Sequence, residues 1–81
     1  MNVNVRLSAG LASAAGNARL RVTLSENATV ADLLAHLRKQ HPALTTRLDS
    51  AIPIISGRHV SETEPLTTGQ EVALLLPVAG G

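Results

Sequence analysis

Four stretches of this 81-residue chain predict an α+β domain: a sheet of four to five strands with one main helix packed on one face. Val3, Val5 and Leu7 alternate with polar neighbours, and Leu20, Val22 and Leu24 do the same. A period of two is that of a strand with one buried face. Val30, Leu33, Leu34 and Leu37 recur at helical spacing and form a single apolar stripe. After Glu71, the run Val72-Ala73-Leu74-Leu75-Leu76 is apolar on both faces, as a strand in the middle of a sheet reads. One helical stripe covers only one face of so small a sheet, so the other face is expected to stay open.

Taken in order, the first two strands form an antiparallel hairpin. Ser8 to Asn17 between them reads as a long connection with an irregular helical turn around Leu11. Ser25 to Ala28 is a turn. Thr29 is placed to cap the helix, with Asp32 three residues on completing a capping box. Asp32 suits the positive end of that helix, and Arg38 and Lys39 suit the negative end. Pro42 forces His41 out of helical angles and ends it. Leu44 and Leu48 pack a short return segment under the sheet. Ile52 to Ile55 is a third strand, at an edge or bulged because Pro53 has no N–H to donate. Ser56-Gly57 turns the chain into a brief fourth strand, Arg58 to Val60. Glu64 to Leu66 suggests a helical turn with Leu66 plugging the core, and Thr67 to Gln70 turns into the last strand.

Residues 1–81 are expected to form one domain. A chain this short buries only about 60–65% of its unfolded surface, which leaves little room for a cleft of its own. Phe, Tyr and Trp are absent and the net charge is +1, so bases have nothing to stack on and phosphates little to attract them; no nucleic-acid partner is expected. There is no cysteine, which excludes disulfides and thiolate metal sites. His36 and His41 do not have the spacing of a helical metal pair, and no metal is expected. No apolar run is long enough to span a bilayer, and the expected location is cytoplasmic. No phosphate-binding glycine loop occurs, so any ATP would be bound by a partner.

The last five residues, Pro77-Val78-Ala79-Gly80-Gly81, read as a flexible tail. Glycine has no Cβ and lets a partner's atoms approach its backbone closely. Fully extended, five residues reach about 17 Å. The expectation is a thin arm that delivers the carboxylate of Gly81 into a partner's narrow channel, with Gly80, Ala79, Val78 and Pro77 as the tail that threads it. If Val72 and Leu74 point under the helix, Ala73 and Leu75 face out. Leu75 beside Ile55 or Pro53 would then make an exposed apolar patch of the kind that marks an interface. Arg58 is a candidate ionic contact at its rim.

The pattern resembles the β-grasp fold of the ubiquitin superfamily, with a mixed sheet. More closely it is similar to the small sulfur carriers of the MoaD/ThiS family, nearest to the small subunit of molybdopterin synthase. The resemblance rests on Thr29-Val30-Ala31-Asp32-Leu33-Leu34, Pro42-x-Leu44, Gly57-Arg58-x-Val60, Pro65-Leu66-x-x-Gly69-x-Glu71-Val72-Ala73 and the Gly-Gly tail, and covers essentially the whole chain. It implies that an adenylating enzyme of the ubiquitin-activating type uses ATP to convert the Gly81 carboxylate to an acyl-adenylate. A sulfur donor protein then displaces AMP and leaves a thiocarboxylate. The sulfur passes to a pterin precursor in the large subunit of molybdopterin synthase, in a heterotetramer. On this pattern the chain binds no cofactor and supplies no acid or base. Thiamine, cysteine or tRNA thiolation are alternative destinations for the sulfur. A protein modifier joined through Gly81, and a plain β-grasp interaction module, are the readings from other classes.

Overall fold

The structure, a computed structural model, describes residues 1–77. In chain order it holds β1 (Asn2–Leu7), α1 (Ala9–Ala15), β2 (Arg19–Thr23), α2 (Val30–Gln40), a 3₁₀ turn (Pro42–Leu44), α3 (Thr45–Leu48), β3 (Ile52–Ile55), β4 (Arg58–His59) and β5 (Glu71–Leu75). The five strands lie in the order β2-β1-β5-β3-β4. β5 runs parallel to β1 and antiparallel to β3; the two outer pairs are antiparallel. The sheet is therefore mixed, with the last strand at its centre.

α2 forms where the apolar stripe and its cap agree. The Thr29 hydroxyl accepts from the Asp32 amide and the Asp32 carboxylate accepts from the Thr29 amide, so two donors at the helix start are satisfied reciprocally. Val30, Leu33, Leu34 and Leu37 are buried against the sheet. Fully burying a leucine contributes about 1.5–3 kcal/mol, so Leu33 and Leu37 outweigh the cap. The helix stops at His41, whose φ of −132° and ψ of 77° lie outside helical values ahead of Pro42. Leu44 and Leu48 follow into the core. From the sheet, Val3, Val5 and Leu7 of β1, Val22 of β2, Ile55 of β3, and Val72 and Leu74 of β5 meet them. Among the described residues no polar or charged side chain is buried. An apolar core of this kind carries no desolvation cost.

Four local expectations change. The Ser8–Asn17 connection contains a regular seven-residue helix, α1, not an irregular turn. Its alanines favour helix, and Leu11, fully buried, anchors it to the core. Gly16 ends it at a φ of +86°, a left-handed angle open to glycine without strain, with its N–H on Ala12 O at 2.8 Å. Glu64 to Leu66 is extended instead of helical. Pro65 bridges Thr29, and the Leu66 amide donates to Ala28 O at 2.9 Å. Leu66 still plugs the core, at 4% exposure.

β3 is an inner strand, not an edge. Pro53 is tolerated because its nitrogen lies on the same side as its carbonyl, which accepts from the Val60 amide at 3.1 Å. That side faces the two-residue β4, so β5 loses no donor. Finally, Ile55 points into the core with Pro53, and Ala73 is buried on the other face.

Thr29→Ala removes one half of the capping box. Urea unfolding should show a loss of about 1 kcal/mol with an unchanged slope. An unchanged midpoint would mean the box contributes nothing.

Candidate functional site

Two features surround the place where the chain leaves the sheet. The first is the end of β5. Parallel pairing runs from Asn4 opposite Glu71 to Leu7 opposite Leu74. Ser8 extends the contact with β5 by two bonds, one from its backbone and one to its side chain. Its amide donates to Leu74 O at 3.0 Å, and its hydroxyl accepts from the Leu76 amide at 3.1 Å. Ser8 also stands at the N-cap position of α1, yet its side chain does not cap that helix. An N-cap bond contributes about 1 kcal/mol, so the hydroxyl is diverted from the helix to the departing strand.

Gly10 sits two residues on, and a Cβ there would lie 3.0 Å from Leu76 Cδ1. Glycine costs about 1 kcal/mol relative to alanine inside a helix. Here its bare face gives Leu76 a seat. The Gly10 carbonyl is held in turn by Arg47 Nη1 at 2.6 Å. Pro77 follows Leu76 and has no N–H with which to continue the ladder.

The second feature is the sheet face opposite α2. Leu75 is 40% exposed there and pairs with Ile52; Ala73 pairs with Ile54 on one side and Arg6 on the other. Ile52 and Ile54 are half-buried. Apolar side chains therefore do border Leu75, but they are Ile52 and Ile54, not Ile55 or Pro53. The alternation in β3 runs one residue out of step with the expectation. Ala73 is on the open face as expected, but at 4% exposure it is the floor between Ile54 and Arg6, not a contact of its own. Arg58 is exposed and pairs with Ile55, which puts it at the helix side of the sheet edge and away from Leu75. Gly81, Gly80, Ala79 and Val78 lie outside the described residues.

Ser8 and Gly10 were missed because both read as loop formers. The usable signal was a serine directly after a strand and two residues before a glycine in an alanine-rich run. Among the described residues, no three His, Cys, Asp or Glu side chains gather as a metal site, and no helix is long and apolar enough to cross a membrane.

A mixed five-stranded sheet with the last strand central, gripping one main helix, is the ubiquitin-like β-grasp fold. Residues 5–81 match the model of the ThiS family. The chain belongs to this ThiS/MoaD family of ubiquitin-like sulfur carriers and modifiers. It is 36% identical over 84 residues to small archaeal modifier protein 1 of Haloferax volcanii, covering 94% of this chain and 97% of that protein. The crystal structure of that protein superposes with a TM-score of 0.90 at 34% identity, over 100% of both chains. A putative molybdopterin converting factor subunit 1 from Pyrococcus furiosus gives a TM-score of 0.88 at 28% identity, over 96% of this chain and 99% of that one. At 22% identity, a likeness of fold extends to a complex of subunits 1 and 2 of the molybdopterin-converting factor of Helicobacter pylori, with a TM-score of 0.73 over 100% of both chains.

Ser8→Ala leaves the Leu76 N–H without its acceptor. Hydrogen exchange should lose protection at Leu76 while Val72 and Leu74 keep theirs, with a global loss of about 1 kcal/mol. Protection at Leu76 that survives the substitution would show that Ser8 does not hold the exit.

Proposed function

We propose that this chain is a sulfur carrier whose Gly81 carboxylate is activated by adenylation and converted to a thiocarboxylate. Its sulfur goes to molybdopterin synthesis, with the chain acting as the small subunit of a synthase. The observation that carries the reading is the family match through residue 81, on a scaffold whose central strand leads directly into Pro77-Val78-Ala79-Gly80-Gly81.

A carboxylate is a poor electrophile. An adenylating enzyme of the ubiquitin-activating type supplies ATP. The carboxylate oxygen attacks the α-phosphorus, pyrophosphate leaves, and an acyl-adenylate forms. A sulfur donor protein attacks the carbonyl carbon, and AMP leaves with the bridging oxygen. The donor carries that sulfur as a persulfide, so a thiol reductant then attacks the donor's own sulfur, closes a disulfide with it, and releases the thiocarboxylate as the nucleophile for the pterin. The chain holds no ATP or metal in this scheme. Its contribution is positioning, and a reacting group held in place can save several kcal/mol of barrier. β5 is bonded on both flanks, Ser8 and Gly10 fix its exit, and Gly80 and Gly81 carry no side chain to obstruct a channel. Leu75, beside Ile52 and Ile54, supplies the apolar contact for the large subunit. The Helicobacter pylori complex of two converting-factor subunits, and the Pyrococcus furiosus subunit 1, support this partner. The chemistry takes place in the cytoplasm, where ATP is available.

A second reading has its own support. The 36% identical relative is named a modifier, which favours an amide bond from Gly81 to a partner's lysine in place of sulfur release. Both readings share the adenylate.

Intact mass of the protein from its own host separates them. One oxygen exchanged for sulfur at the terminus is the expected result; a ladder of conjugates supports the modifier. Adding one alanine after Gly81 should abolish both outcomes. If molybdenum-cofactor supply persists with the extended chain, the proposal fails.

A further inference from the structure

We propose that the open sheet face is a docking surface for a protein that presents carboxylates around an apolar side chain, and that Arg6, Arg19 and Arg21 are its ionic half. This deepens the docking already proposed for Leu75, Ile52 and Ile54 and rests on that part of the reading, not on the chemistry of the tail. In the β1–β2 register Arg6 stands directly opposite Arg19, and Asn4 opposite Arg21. All three arginines are exposed and share the face that carries Leu75. Like charges placed directly opposite each other across a strand pair are destabilising. Folding therefore gives no reason for Arg19 at that position. The one carboxylate in the group is Glu71, 3.9 Å from Arg6, with both side chains about half exposed. Three arginines against one glutamate leave this face at +2. The whole chain is +1, so its remaining surfaces together are net negative. The positive charge is concentrated where the sheet is open.

The shape supports the same occupant. A groove of about 380 Å³ runs between Arg6, Arg19, Arg21, Asn4 and Glu71. A second, of about 430 Å³, lies on the other side of Arg6 and Glu71 and is floored by Ile54 and Ala73. The Arg6–Glu71 pair is the ridge between a basic groove and one with Ile54 and Ala73 at its floor and Ser56, Gly57 and Gln70 at its rim. Charges beside an apolar row match the centre and rim of a protein interface. Nucleic acid is disfavoured, because no aromatic side chain exists on which a base could stack.

The probe is a short synthetic peptide of glutamates around a single leucine, titrated into the full-length isotope-labelled chain and followed by amide chemical shifts. Shifts should concentrate at Arg6, Arg19, Arg21, Ile54 and Leu75. Binding should weaken as the Debye length falls from about 30 Å at 0.01 M salt to about 8 Å at 0.15 M. Arg19→Glu with Arg21→Glu should reduce affinity roughly tenfold or more, and Lys39→Glu on α2 should leave it unchanged. Arg19→Gln with Arg21→Gln should give an intermediate loss. Arg19→Glu alone should raise the melting temperature by about 1–5 °C, since it puts a carboxylate opposite Arg6. A merely structural arginine would lower it.

The proposal is overturned if the shifts spread equally over Arg38, Lys39 and Arg47, or if the double reversal leaves affinity unchanged. It is also overturned if a single-stranded oligonucleotide of equal charge displaces the peptide from these arginines at lower concentration. A peptide with glutamine in place of glutamate should not bind; equal binding by that peptide would remove the ionic half of the surface.

Discussion

Hydrogen bonding of β5 on both flanks is the constraint on which the rest of this structure depends. The last strand enters between the first and the third, parallel to one and antiparallel to the other. Parallel neighbours point the same way, so the end of β5 emerges beside the end of β1. That is why Ser8, the residue after β1, can reach the amide of Leu76. The pairing closes a loop that includes nearly the whole chain. Such a contact forms only after its loop entropy has been met by other packing. A correctly directed exit is therefore a property of the whole fold and not of a local motif.

The two faces of β5 have different tasks. Val72 and Leu74 lie fully buried under α2. On the other face, Ala73 is small enough to be covered by Arg6 and Ile54, and Leu75 is not covered. With no aromatic residue, the core is filled by many aliphatic side chains whose volumes are similar. Each contributes modestly, and none sends a polar handle toward the surface. The sheet's open face is then left to charges and short aliphatic groups. The division into a basic half and an apolar half follows from which strand supplies each: β1 and β2 the arginines, β3 and β5 the isoleucines and Leu75.

Much of this was legible in the sequence, for reasons that can be named. β1, β2 and α2 have one buried face each, so their periods of two and 3.6 are clean. The capping box at Thr29 and Asp32 is a local device and can be read locally. The central position of β5 showed in its apolarity on both faces. α1 was hidden because alanines carry no strong periodic signal, and because Gly10 suggested a loop. The reason for Gly10 lies in Leu76, distant in sequence and adjacent in space. Ile55 was assigned to the wrong face because a four-residue strand containing a proline gives no alternation; Ile52, Pro53, Ile54 and Ile55 are all apolar. Only the pairing of Ile52 with Leu75 sets the register. Arg6 opposite Arg19 was invisible for the same reason, since each strand alone looks like an ordinary polar face.

The exit and the open face lie on one strand, and this has a kinetic consequence for the proposed carrier. Charges at an interface chiefly govern how fast partners meet, whereas buried apolar contacts govern how long they stay. A carrier must visit an activating enzyme and a receiving subunit in turn, so it needs rapid arrival and ready release. Three exposed arginines beside a single exposed leucine suit that requirement better than a large apolar patch would. The accuracy that a brief encounter lacks is supplied from within. Ser8 and Gly10 hold Leu76 before any partner arrives, and an interaction already made in the unbound chain does not have to be ordered on binding. Steering from the surface and direction from the exit are thus separable, because among the described residues no side-chain hydrogen bond or ion pair joins the arginines on β1 and β2 to Ser8 or Leu76.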